Sequence, residues 1–197
     1  MKILFESKIP LPVKKYGGTE RIIYWLMKAL VKMGHEVFLL GHPDSSVAPI
    51  GVQLLPHNGA SDFRKLIPKD IDLIHLFYHP PFEFPVAGIV TIEGNGVPGE
   101  NFHRNTVFIS RKHAQNHRSE SFVYNGIDID SYPFFARKQK TWNDFLFLAK
   151  AKWKVKNLKD CIKVVRTHDK RLHVAGGKVW TFSRKICSYG MVDQVKK

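Results

Sequence analysis

Three pieces of the opening stretch, Lys2-Ile3-Leu4-Phe5, Gly17-Gly18-Thr19-Glu20-Arg21-Ile22-Ile23 and Gly34-His35-Glu36-Val37-Phe38-Leu39-Leu40, decide the fold class. The first is a short apolar run followed by a turn-rich segment with Pro10, Pro12 and the glycine pair, which predicts a strand that leads into a loop. From Thr19, a good N-cap residue, apolar side chains recur at Ile22, Ile23, Leu26, Met27, Leu30 and Val31. That spacing predicts a helix with one buried stripe, stopped by Gly34. Glu36 to Leu40 reads as a second buried strand, so residues 2–40 form a strand, helix, strand unit. Its natural solution is a right-handed parallel crossover.

Outward from this unit the alternation continues. Ile71 to Phe77, Ala87 to Ile92, Thr106 to Ile109 and Ser121 to Tyr124 are β-branched or aromatic runs between Pro, Gly and Asn-rich breaks, with a short helix expected over Arg111 to Arg118. After a polar stretch, strand, helix and strand are expected again at Phe145–Leu148, Leu158–Thr167 and Leu172–Ala175, with one more strand at Lys185 to Tyr189. The expected organisation is an α/β domain over 1–135, a linker over 136–143 and the beginning of a second α/β domain over 144–197. About 55 residues is small for an independent parallel sheet, whose two faces both need covering. A complementary chain or self-association is therefore expected to complete the second domain.

The composition, with 44% hydrophobic residues, excludes an intrinsically disordered chain. Two cysteines, Cys161 and Cys187, cannot build a disulfide scaffold, and the chain does not open on a signal-peptide pattern. No uninterrupted apolar stretch approaches the roughly 20 residues of a spanning helix. The expected location is cytoplasmic, with peripheral attachment to the inner face of a membrane as a candidate. Net charge is +14, unevenly placed: residues 1–133 carry 14 basic and 13 acidic side chains, and residues 134–197 carry 17 basic and 4 acidic. Anionic partners are thereby directed to the C-terminal third.

Taken in order, the motifs Gly17-Gly18-Thr19-Glu20-Arg21, Gly34-His35-Glu36-Val37, Asp72-Leu73-Ile74-His75, Val90-Thr91-Ile92, Tyr124-Asn125-Gly126-Ile127-Asp128 and Leu172-His173-Val174-Ala175-Gly176-Gly177 span nearly the whole chain. In this order and spacing the chain resembles the family-4 retaining glycosyltransferases of GT-B architecture, which are built from two facing Rossmann-like domains. The resemblance covers that family's N-terminal, acceptor-side domain and the opening of its C-terminal, nucleotide-sugar-binding domain. It implies a Rossmann-like parallel sheet with flanking helices, and an incomplete second one. The implied activity is sugar transfer from a nucleotide-diphosphate sugar to a saccharide or lipid-linked acceptor, as in polysaccharide biosynthesis, with no metal or other cofactor.

Site expectations follow from both sources. Gly17 and Gly18 lie at a strand-to-helix turn, where bare backbone N–H groups and the helix N-terminus favour a phosphate or the reacting sugar. By resemblance, Lys150 and Lys156 match the basic positions that hold the donor diphosphate and stabilise charge on the departing nucleotide. Lys150 stands where relatives usually carry Arg, so the charge is kept and the bidentate fork lost. Where many relatives have a His after the Val-Thr-Ile strand, this chain has Glu93, which can accept a hydrogen bond from an acceptor hydroxyl or act as a base. The paired glutamates of the family's donor site have no counterpart, so a truncated or split form is expected. The alternatives are a non-catalytic saccharide- or partner-binding remnant and, least favoured, a basic nucleic-acid-binding protein. His75 with His79, and His113 with His117, have spacings that could hold a metal, but no third ligand accompanies either pair, and structural roles are expected for both.

Overall fold

The computed structural model describes residues 1–14, 17–57, 62–97, 99–132 and 143–192. These fall into two compact units, Met1–Val13 with Gly17–Tyr132, and 143–192. The expected linker 136–143 lies, apart from Asn143, outside the described residues.

In the first unit six strands make one parallel sheet: β1 (Lys2–Ser7), β2 (Glu36–Gly41), β3 (Gln53–Pro56), β4 (Leu73–Leu76), β5 (Ala87–Ile92) and β6 (Thr106–Phe108). Their spatial order is β3-β2-β1-β4-β5-β6, the order of a doubly wound mononucleotide fold. Strand β1 is central. It pairs with β2 from Lys2↔Glu36 to Ser7↔Gly41, and with β4 through Ile3↔Leu73 and Phe5↔His75. Helix α1 (Gly18–Lys32) crosses from β1 to β2, and its buried Ile23 and Met27 pack on Ile3, Phe5, Val37 and Leu39. Period-two alternation sends Leu4, Phe38 and Leu40 to the opposite face, where they meet Ile71, Ile74 and Leu76. Burying a side chain of this size stabilises by roughly 1.5–3 kcal/mol.

Two local expectations are corrected, and one strand was not foreseen. Thr19 is not the N-cap of α1: Gly17 is, and it caps without a side-chain hydrogen bond. Ser121 to Tyr124 is not a full strand, because only Phe122 bridges to Phe108, held by the Phe108 N–H donating to the Ser121 carbonyl and the Val123 N–H to the Phe108 carbonyl. The edge strand β3 escapes sequence reading because Gln-Leu-Leu-Pro is too short to show a period and ends in proline, which only an edge or strand end tolerates.

The second unit contains β7 (Asp144–Leu148), α3 (Leu158–Thr167), β8 (Arg171–Ala175) and β9 (Ile186–Ser188). Here the parallel order is β7-β8-β9. Its small core joins Phe147, Leu172, Val174 and Ile186 to Val165 of α3. Among the described residues no helix is long and apolar enough to cross a membrane.

Candidate functional site

In a doubly wound sheet, ligands bind outside the carboxyl ends of the strands, next to the point where strand order reverses. In the first unit that point lies between β1 and β4. Strand β1 ends there in Glu6 and Ser7, both buried. Glu6 follows the apolar run Ile3-Leu4-Phe5, and its carboxyl lies beside the Tyr78 hydroxyl just beyond β4, close enough for each to shift the other's titration. Burial pushes the Glu6 carboxyl above its usual range, opposed in part by Lys8 and Tyr78. The same burial, with Glu6 beside it, pushes the Tyr78 phenol up. Lys8 completes the cluster, its Nζ 6.0 Å from the centre of the Tyr78 ring. Sequence reading missed Glu6, although an acid inside a buried strand was the available signal.

Gly17 has φ 155°, and a Cβ there would come 2.8 Å from Glu20 Oε2 and 2.9 Å from Val13 Cγ2. A side chain at 17 is therefore excluded both by backbone conformation and by space. Gly18 is different, since a Cβ there would meet nothing within 4 Å. The carboxylate of Glu20, in the first turn of α1, thus already stands close to the glycine bend. A ligand anion would share the helix N-terminus with it.

Glu93 follows β5 directly. Its Oε2 accepts a 2.8 Å hydrogen bond from Asn125 Nδ2, and its Oε1 is buried with no partner among the described residues. Burial raises the Glu93 carboxyl above the ordinary value, and the Asn125 amide offsets part of the rise. This brings together Glu93 and the Tyr124-Asn125-Gly126-Ile127-Asp128 stretch, 32 residues apart in sequence. Asp128 anchors that stretch to α1 through Lys28 at 2.5 Å, and Ser131 Oγ donates to the same oxygen at 2.9 Å. Lys28 accordingly holds the Asp128 carboxyl below its usual range.

The histidines brace this region. In α2 (Arg111–Asn116), capped by Ser110 accepting from the His113 N–H at 3.1 Å, His113 is buried, its Nε2 has no partner among the described residues, and burial lowers its pKa below the ordinary value. His117 follows the helix, and its Nε2 lies 2.7 Å from the Asn95 carbonyl oxygen. Both rings pack on Phe108. His75, inside the sheet, lies 2.8 Å from Thr91 Oγ1 and stacks on Phe77. Burial lowers its pKa to about 4, so the ring is neutral at pH 7. His79 contacts Phe102 edge-on. Among the described residues no three His, Cys, Asp or Glu side chains converge as a metal site.

In the second unit Lys150 follows the end of β7 after Ala149. Two successive turns, Trp153 N–H to Lys150 carbonyl and Lys156 N–H to Trp153 carbonyl, carry the chain from Lys150 to Lys156. Lys150 Nζ stands 4.6 Å from the Trp153 ring centre, a cation–π contact. Lys156 is exposed, and Asn157, in left-handed conformation, opens α3. The end of β8 packs tightly against this turn: a Cβ on Gly176 would overlap the Ala149 carbonyl oxygen, and the Ala151 N–H donates to the Gly176 carbonyl. Lys150 and Lys156 thus share one short segment at the carboxyl end of their sheet. Gly17, Gly18 and Glu93 belong to the other unit.

These features define a protein with Rossmann-like parallel sheets and a polar cluster at the carboxyl ends of the larger one. No protein-family model matches the chain, and no curated protein matches its sequence. Among solved structures it is similar to the crystal structure of AviGT4, a glycosyltransferase involved in avilamycin A biosynthesis, with a TM-score of 0.78 at 20% sequence identity. That likeness covers 99% of this chain and 65% of AviGT4, so the chain spans just under two thirds of that protein's length. The fold is therefore glycosyltransferase-like, of the Rossmann type.

Proposed function

We propose that the chain is a retaining GT-B glycosyltransferase lobe pair that moves a sugar from a nucleotide-diphosphate sugar to a saccharide or lipid-linked acceptor, the first unit serving the acceptor and the second the donor. The observation that carries this reading is the meeting of Glu93 with Asn125 at the carboxyl edge of a sheet with glycosyltransferase-like fold. Burial makes Glu93 a better base than an exposed carboxylate, and its Oε1 is unpartnered, so it is suited to accept the acceptor hydroxyl's hydrogen bond or proton. Lys150 and Lys156 are assigned to the donor diphosphate, where their charge stabilises the departing nucleotide. The Gly17–Gly18 bend offers backbone N–H groups to a phosphate or to the sugar. Following the sequence resemblance, the reading gives a metal no part. It includes a complementary segment, from another chain or a second copy, to cover the open edge of the second unit.

The test is calorimetry with UDP- and GDP-sugars on the wild type and on Lys150→Ala plus Lys156→Ala. Each charge-assisted contact is worth roughly 1.5–3 kcal/mol, so the double variant is expected to lose on the order of 100-fold or more in donor affinity. Unchanged binding in that variant refutes the lysine assignment. Glu93→Gln is expected to keep donor binding and lose transfer.

A further inference from the structure

Between Gly177 and β9 the second unit contains an ordered loop whose side chains alternate. Lys178, Trp180, Phe182 and Arg184 are exposed, while Val179, Thr181, Ser183 and Lys185 are partly buried. The inward set explains why the backbone holds this shape. Val179 packs on the core around Phe147 and Val174, and its N–H donates to Ser188 Oγ at 3.0 Å. Thr181 Oγ1 accepts from the Ser183 N–H at 3.1 Å, Ser183 Oγ accepts from the Lys185 N–H at 3.3 Å, and Lys185 pairs with Asp169.

The outward set is left facing water. Trp180 and Phe182 are 96% and 109% exposed, and neither has a ring contact among the described residues. Lys178 and Arg184 flank them two positions away on either side and have no ion-pair partner among the described residues. The loop bends at Phe182 and turns at Arg184 and Lys185, where the Ile186 N–H donates to the Ser183 carbonyl, and it carries an exposed cation near each end with the two exposed rings between them.

We propose that this loop docks the second unit on an anionic lipid bilayer, with Trp180 and Phe182 entering the headgroup–acyl boundary and Lys178 and Arg184 bonding lipid phosphates. Two observations select this occupant. Exposed rings flanked by exposed cations within one loop suit a bilayer surface, apolar below and anionic at headgroup level. The segment that bears it carries 17 basic and 4 acidic residues over 134–197, a charge complement to acidic lipid. The inference does not depend on donor or acceptor chemistry. The loop lies outside the proposed site residues, and its test uses no nucleotide sugar.

The experiment is co-sedimentation of the full chain with vesicles of phosphatidylcholine alone and of phosphatidylcholine with about 30 mol% phosphatidylglycerol, where each basic residue near the surface adds attraction. Binding to the anionic vesicles is expected to be at least tenfold tighter than to the neutral ones. Trp180→Ala plus Phe182→Ala, and separately Lys178→Glu plus Arg184→Glu, are each expected to weaken it tenfold or more. All four side chains face outward, so the melting temperature is expected to hold. Brominated phosphatidylcholine included in the anionic vesicles is expected to quench Trp fluorescence in the wild type and much less in Trp180→Phe. Anionic-vesicle binding that the ring variant leaves intact would reduce the effect to bulk charge and overturn the proposal. So would absence of binding, or ring-dependent binding to single-stranded RNA in place of vesicles.

Discussion

Strands β1 and β7 open their units in the same way, each followed by a glycine- or lysine-rich turn, a helix and a parallel strand, yet their surroundings differ. β1 is paired along both edges, and Ile3 to Ser7 are buried. β7 is paired with β8 along one edge, and of its five residues only Phe147 is buried. Phe145, Leu146 and Leu148 are 46%, 65% and 68% exposed. The comparison shows that burial is a property of neighbours more than of the strand's own sequence, because Asp-Phe-Leu-Phe-Leu is as apolar as Lys-Ile-Leu-Phe-Glu-Ser. Parallel sheets are ordinarily covered on both faces.

The contrast can be broken at several points. Gly176→Ala has the largest expected effect: the residue has φ 127°, and its new Cβ would strike the Ala149 backbone, which should cost more than about 4 kcal/mol and unfold the second unit while the first persists. Hydrogen exchange resolved by segment would show it, and uniform protection across 143–192 would contradict it. Phe5→Ala removes a fully buried ring between sheet and α1, at an expected cost of about 3–5 kcal/mol confined to the first unit. Urea unfolding followed at both units measures the split.

A smaller effect comes from His75. Its folded pKa near 4 lies below the ordinary 6.5, so between these values the unfolded chain takes up a proton that the native chain does not. Stability of the first unit is therefore present above pH 6.5 and lost as pH falls toward 4, by about 3 kcal/mol in all. His75→Gln should flatten that slope in denaturant midpoints measured across pH, and an unchanged slope would assign it to other groups. Leu146→Ala should be the mildest, within about 0.5 kcal/mol, because the side chain is already mostly in water. A cost of several kcal/mol would mean that this face is covered in solution.

Much of this arrangement was legible in advance. The stripe from Ile22 to Val31 and the apolar runs of β1, β2 and β5 carry their periods locally, and Gly34 marks the helix end by its left-handed φ of 87°. The N-cap escaped because Thr19 has the right chemistry, whereas the position of the turn depended on Val13 and Glu20 crowding residue 17. At the site, Glu93 could be picked out by its place after a strand, but its Asn125 partner and its buried Oε1 could not, since hydrogen bonds across 32 residues leave no mark in local pattern. Glu6 does carry a local signal, an acid inside a buried strand, whereas its neighbour Tyr78, just beyond the adjacent strand β4, leaves none.

Local order along the chain, meaning which segments become strands or helices and where the charge accumulates, follows from side-chain period, turn chemistry and composition, all of which act over a few residues. Strand order, the burial that raises Glu6 and Glu93 and lowers His75, and the outward exposure of Trp180 and Phe182 arise from contacts between distant segments. Desolvation and hydrogen bonding depend on what packs against a group in space, and that is set when the chain closes on itself.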